Sequence, residues 1–176
     1  MNRRDVVRNL SLLLGSALSF ELTAALHGQV FNTGAPLPVS PAQEALLAEA
    51  ADTIIPSTDT PGAKAAGVEK FILRVLRDCY RPDAQVRFHE GLSRLESSAR
   101  SAHGKGFADL DQAQRHAVML ATTKTDRPFF VLLKQLTVAG YFTSEIGATK
   151  ALAYLPVPGK FQGETRLQPG QKAWAL

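Results

Sequence analysis

An all-α fold, a compact bundle of about five helices, is what this sequence predicts. Three observations carry that expectation. Apolar residues recur at helical spacing from residue 41 to residue 139. No segment sustains a two-residue alternation, and no Asn-Gly or Asp-Gly joins two β-rich runs. The breaks between the periodic segments are short and built from Pro, Gly and Asp, which favours antiparallel neighbours. With 176 residues, 45% of them hydrophobic, the chain can bury one core, and a single helical domain over 41–153 follows.

The first helix is announced by Ser40 as N-cap, Pro41 at the first helical position, and Gln43 completing a capping box. Its apolar face is Leu46, Leu47, Ala50, Ala51, Ile54 and Ile55, and Pro56 stops it. A second helix restarts near Gly67, with Val68, Phe71, Ile72, Val75, Leu76 and Cys79 in one wide stripe. Cys79 is expected there as a small buried hydrophobe. Arg81-Pro82 opens a third, with Phe88, Leu92, Leu95 and Ala99 inward and Gly104 and Gly106 at its end. Asp109 or Asp111 caps a fourth that turns Ala113, Ala117 and Leu120 inward. Asp126 and Pro128 begin a fifth, burying Phe129, Leu132, Leu133, Leu136 and Ala139, and Gly140 with the segment "GYFTSEIG" closes it.

Both ends of the chain change character. Residues 1–27 start with Arg3, Arg4 and Arg8 and continue as an apolar run from Leu10 to Phe20. That run is too short to cross a membrane, which takes about 20 residues, and suits an export signal. Arg3-Arg4 resembles a twin-arginine signal, which serves cargo exported already folded, although Val6-Val7 stands where Phe-Leu is favoured. No Ala-x-Ala site marks a cleavage point, so the leader is either retained or removed elsewhere. The rival reading is an amphipathic helix docked on its own domain. Residues 28–40 form a Gly- and Pro-rich linker. Residues 154–176 form an extended tail in which Tyr154, Phe161, Leu167 and Trp174 need a surface, their own domain's or a partner's.

Chemistry-bearing patterns are absent. The net charge of +4 is scattered over the chain, with no basic stripe interleaved with aromatics, so no nucleic-acid partner is expected. One cysteine cannot form an internal disulfide or a thiolate metal site. His27, His89, His103 and His116 share no ligand spacing; each suits a surface or capping position. Gly-x-Ser-x-Gly and Gly-x-Gly-x-x-Gly do not occur. No catalytic, cofactor-binding or metal-ligating residue is expected in this chain.

The least ordinary stretch is "IIPSTDTPGAKAAGV", from Ile54 to Val68. One carboxylate, Asp59, among Ser57, Thr58 and Thr60 is too few for a calcium cage. Amides near Gly62 with Lys64 offer a weak place for an anion. A fixed corner suits the residues better: Asp59 and the hydroxyls bond local amides, and Pro61-Gly62 fits a type II turn with positive φ at the glycine.

The segment "DTIIPSTDTPGAKAAGVEKFI", together with the arginine-bearing leader, "GYFTSEIG" and "YLPVPGKFQG", resembles the gluconate 2-dehydrogenase subunit 3 family, in the right order over most of the chain. The resemblance implies a non-catalytic small subunit of a bacterial sugar or sugar-acid dehydrogenase complex. The expected partner is a large FAD-dependent subunit of the glucose-methanol-choline type, with a cytochrome c carrying haem c, or another acceptor, taking the electrons. The small subunit would support folding of the large one and carry it through the twin-arginine pathway to the periplasm. Membrane association would come only through the complex. The residues expected to touch the partner are Pro56, Thr58, Asp59, Thr60, Pro61 and Gly62 at the corner, Tyr141, Phe142 and Glu145 after it, and Tyr154, Phe161 and Trp174 in the tail. A stand-alone exported helical enzyme or sugar-binding protein is the alternative, and a cytoplasmic structural protein a third.

Overall fold

A computed structural model describes residues 39–155, 157, 159, 164, 166 and 169–175. The leader, its Arg3 and Arg4, His27, and the tail residues Phe161 and Leu167 lie outside them. The described elements are α1 (Pro41–Ile54), α2 (Val68–Cys79), α3 (Pro82–His103), a 3₁₀ turn (Phe107–Asp109), α4 (Gln112–Thr125) and α5 (Arg127–Phe142). A π-helical turn (Gly147–Ala151) follows, then strand β1 (Ala153–Tyr154), which pairs in parallel with β2 (Trp174–Ala175).

The helices begin where local chemistry starts them. Ser40 Oγ accepts from the Gln43 amide at 3.2 Å while Gln43 Oε1 accepts from the Ser40 amide at 3.0 Å. Asp111 and Gln114 repeat that box on α4 at 2.8 and 3.2 Å. Asp126 caps α5 through the Phe129 amide and receives the Arg94 guanidinium at 2.6 Å, which fastens α3 to the start of α5. Gly104, at φ 69°, ends α3 in the left-handed conformation that favours glycine.

Helix α1 packs against every other α-helix and the 3₁₀ turn. Its sequence explains that position: Leu46 and Leu47 supply bulk, while the buried alanines 48, 50 and 51 let neighbours approach on several sides. Around it the core is completed by Ile72, Leu76, Phe88, Leu92, Leu95, Phe107 and Leu133. Burying side chains of that size contributes about 1.5–3 kcal/mol each before entropy is subtracted. Glu49 of α1, largely buried, binds Lys64 of the corner at 2.5 Å and also pairs with Arg115 of α4, whose other nitrogen donates to the Ala108 carbonyl at 3.0 Å. A pair this shielded ties three elements together, and breaking one side leaves a buried charge.

Several expectations are corrected. On α4 the inward residues are Val118, Met119 and Thr122; Ala113, Ala117 and Leu120 face outward, Leu120 at 54% exposure. Alanine gains little from burial, so the larger Val118 and Met119 orient the helix. Thr122 follows them inward because its hydroxyl is satisfied by the Val118 carbonyl at 2.9 Å. Cys79, the last residue of α2, is exposed. On α5, Ala139 is exposed, and Gly140 does not end the helix, which runs on to Phe142. A Cβ at Gly140 would lie 2.6 Å from the Phe71 ring and 3.1 Å from Val68, so this glycine is a contact between α2 and α5 rather than a stop. The tail carries the short strand β2 where no secondary structure is expected.

Candidate functional site

The corner between α1 and α2 is built as a closed unit. Ala63 N–H donates to the Ile55 carbonyl at 2.9 Å, which brings the two ends of the loop together. Inside it, the Gly62 amide donates to Ser57 Oγ at 2.8 Å and the Lys64 amide to Asp52 Oδ1 at 3.3 Å. Of the groups that offered an anion a place, the Gly62 amide is therefore taken by Ser57 and the Lys64 ammonium by Glu49.

Gly62 is buried, and its φ is not positive, so the type II turn expected there is not formed. What requires glycine is space. A Cβ would meet Asp52 Oδ1 and the Ser57 nitrogen at 2.6 Å and the Ile55 oxygen at 2.8 Å. The left-handed residue of this region is Gly67, at φ 66°, the N-cap of α2.

Tyr141 joins this corner to the end of α5. Its ring is buried at 2% exposure, and its hydroxyl donates to the Pro61 carbonyl at 2.7 Å. Beyond it the chain folds back tightly. Ser144 Oγ donates to the Tyr141 carbonyl at 2.6 Å and accepts from the Gly147 amide at 3.0 Å. Gly147 sits so close that a Cβ would lie 1.9 Å from the Tyr141 oxygen.

The expected contact residues thus divide. Pro56, Thr60 and Gly62 are partly or wholly buried, whereas Thr58, Asp59 and Pro61 face solvent. The Asp59 carboxyl is held below its ordinary value, first by the Thr58 hydroxyl at 2.8 Å and then by local backbone amides, with Lys172 of the tail adding a weaker attraction. Lys172 also donates to the Lys150 carbonyl, so the tail returns beside the π-helical turn. Tyr141 is internal, while Phe142 is 40% exposed and stacks edge-on against the Tyr141 ring at 5.2 Å; Glu145 is exposed.

Tyr154 and Trp174 are 54% and 56% exposed, and Val157, shortly after Tyr154 in sequence, is 77% exposed. Their pairing register sets Ala153 opposite Trp174 and Tyr154 opposite Ala175. Since successive strand residues point to opposite faces, the two aromatics lie on opposite sides of the ladder. Residues that sequence reasoning did not single out are Asp52, which accepts the Lys64 amide, Gly147, whose role is steric, and Lys172. The tight Asp52–Gly62 and Tyr141–Gly147 approaches leave no signal in composition or spacing.

Among the described residues no group of three or more His, Cys, Asp or Glu side chains is disposed to hold a metal ion, and no helix is long and apolar enough to cross a membrane. The family model described as Gluconate 2-dehydrogenase subunit 3 matches residues 41–159, from the first residue of α1 past the corner, Tyr141 and Tyr154. The chain belongs to the gluconate 2-dehydrogenase subunit 3 family. No curated protein and no solved structure matches it. Subunit 3 is by its name one component of a dehydrogenase complex, so this chain associates with other subunits of such a complex. In this subunit 3 the matched region ends just beyond the exposed Tyr154 and Val157.

Proposed function

We propose that the chain is the non-catalytic small subunit of a bacterial sugar or sugar-acid dehydrogenase complex, assisting folding, assembly and export of a FAD-dependent large subunit of the glucose-methanol-choline type. The observation that carries the reading is the family match over residues 41–159. Its fit with the structure is that the helical core is complete in itself while aromatic rings at the C-terminal end stay in water. Phe142, Tyr154 and Trp174 are large apolar groups of the kind that become anchors when a partner covers them.

In this reading the redox chemistry belongs to the partners: flavin in the large subunit, and haem c in a cytochrome subunit where one is present. Arg3-Arg4 of the leader then addresses the assembled, folded pair to the twin-arginine pathway, and the complex works in the periplasm, held at the inner membrane through its other subunits.

Co-purification on the tagged full chain, followed by a visible absorption spectrum, is the test. Flavin absorbance from a co-purifying large subunit is expected, and turnover of a sugar by the isolated chain would overturn the assignment. For the carrier role, deleting residues 1–26 is expected to leave the flavoprotein in the cytoplasm; its arrival in the periplasm would refute that role.

A further inference from the structure

Helix α5 has a second face that its own domain uses only in part, through Phe130. Opposite the buried Phe129, Leu133, Leu136 and Gly140, an open trough of about 780 Å³ runs along the outer side of the helix, starting at Thr123 of α4. Its apolar floor is Phe130, Val131 and Val138, the two valines 39% and 36% exposed. Arg127 and Lys134 flank that floor. From Gln112 to Phe142 the only acidic residue is Asp126, which is already bound by Arg94. The trough therefore combines an apolar floor with neutral Thr123 and Gln135, and both of its charged lining residues are cations.

We propose that this trough receives an acidic, amphipathic helix of the large dehydrogenase subunit; the inference rests on the complex proposed above. Arg127 to Val138 spans about three helical turns, at about 1.5 Å per residue, the length over which an apolar helix face lies in a groove with anchors at i, i+3 or i+4 and i+7. Carboxylates on the edges of that helix meet Arg127 and Lys134, which fixes its register. Other occupants fit less well. The chain's own leader begins with Arg3, Arg4 and Arg8 and would set cation against cation, as would a second copy of the same trough. An anionic membrane would gain only about 1 kcal/mol for each of the two cations, and a concave floor suits a rod better than a plane.

The test uses the full chain co-expressed with its large subunit. The double variant Arg127→Glu, Lys134→Glu is expected to bind the large subunit at least about tenfold more weakly, with circular dichroism unchanged because both side chains are exposed. Wild-type binding should weaken with added salt, and amide hydrogen exchange over 127–138 should slow in the complex. Val131→Ser, Val138→Ser should weaken binding without altering its salt dependence. Wild-type affinity in the charge-reversed variant, with exchange over 127–138 unchanged in a complex that still forms, would overturn the proposal while leaving the subunit role standing. Failure of the wild-type chain to bind any large subunit would remove both. Protection of 127–138 by self-association, by the leader, or by phosphatidylglycerol vesicles in place of the large subunit would assign the trough elsewhere and also overturn it.

Discussion

The corner at residues 56–62 and the ladder formed by residues 153–154 and 174–175 stand at the same end of the sequence's expectations but are held in opposite ways. The corner is gripped from inside: Ser57 and Asp52 take its amides, Tyr141 takes the Pro61 carbonyl, and Gly62 has no room for a methyl group. The ladder is two residues long on each side, and both of its aromatic rings stay more than half exposed. A distinctive motif in the first region records the cost of closing a tight loop. The exposed rings in the second record apolar surface left over after the domain has packed. Sequence distinctiveness and availability to a partner are therefore separate properties in this molecule.

Substitutions can break that contrast. The largest effect is expected from Gly147→Ala, where the new Cβ falls 1.9 Å from the Tyr141 carbonyl oxygen and backbone must move. A loss of about 3 kcal/mol in urea unfolding is expected, and a loss below about 1 kcal/mol would mean the turn after α5 is looser than its packing implies. Next is Tyr141→Phe, which leaves the Pro61 carbonyl without its donor while the ring stays buried. A cost of about 1–2 kcal/mol is expected, and an unchanged unfolding midpoint would show that the corner does not depend on this bond.

Trp174→Ala and Tyr154→Ala should change stability by no more than about 0.5 kcal/mol, yet weaken binding to the large subunit by more than about 1 kcal/mol if either ring is an anchor. Because the two rings face opposite sides of the ladder, only one of them is expected to show the full effect. Equal losses at both positions would mean that the partner clasps the ladder from two sides.

The smallest effect belongs to neither region and serves as a reference. His89 of α3 is half-buried beside Phe88, across a cleft from Lys70, Arg74 and Arg77, and burial holds its imidazole below the ordinary value of 6.5. Below that pH the unfolded chain binds the proton more readily than the folded one. Stability is thus complete above pH 6.5 and declines as pH falls from there through the lowered folded value. His89→Gln should flatten that part of the stability–pH curve; an identical slope in the variant would assign the decline to other groups.

Much of the fold was legible because its rules are local. Ser40 with Gln43 and Asp111 with Gln114 start helices through partners three residues away, and Pro56 and Gly104 stop them through their own backbone limits. The errors fall where a distant neighbour decides. Ala113 and Ala117 obey helical spacing, but Val118 and Met119 chose the buried side of α4 once α1 and α3 were in place. Gly140 and Gly62 carry the same letter as a stop or a turn, yet Gly140 is a contact whose other half lies on α2, and Gly62 is one with Asp52 of α1 and the corner's own backbone. Serine, threonine and proline at the corner could be read as a turn; that Tyr141 would bond Pro61 from 80 residues away could not.

By itself the sequence determined the helical class, the order and caps of the helices, the family signature and the lack of any recognised motif for metal or cofactor binding. Those properties depend on residue type and short spacing, which a linear chain displays directly. Tertiary structure alone decided which face of α4 is spent on the core and which glycines are contacts rather than stops or turns, because burial is a property of pairs of elements and no single segment contains it.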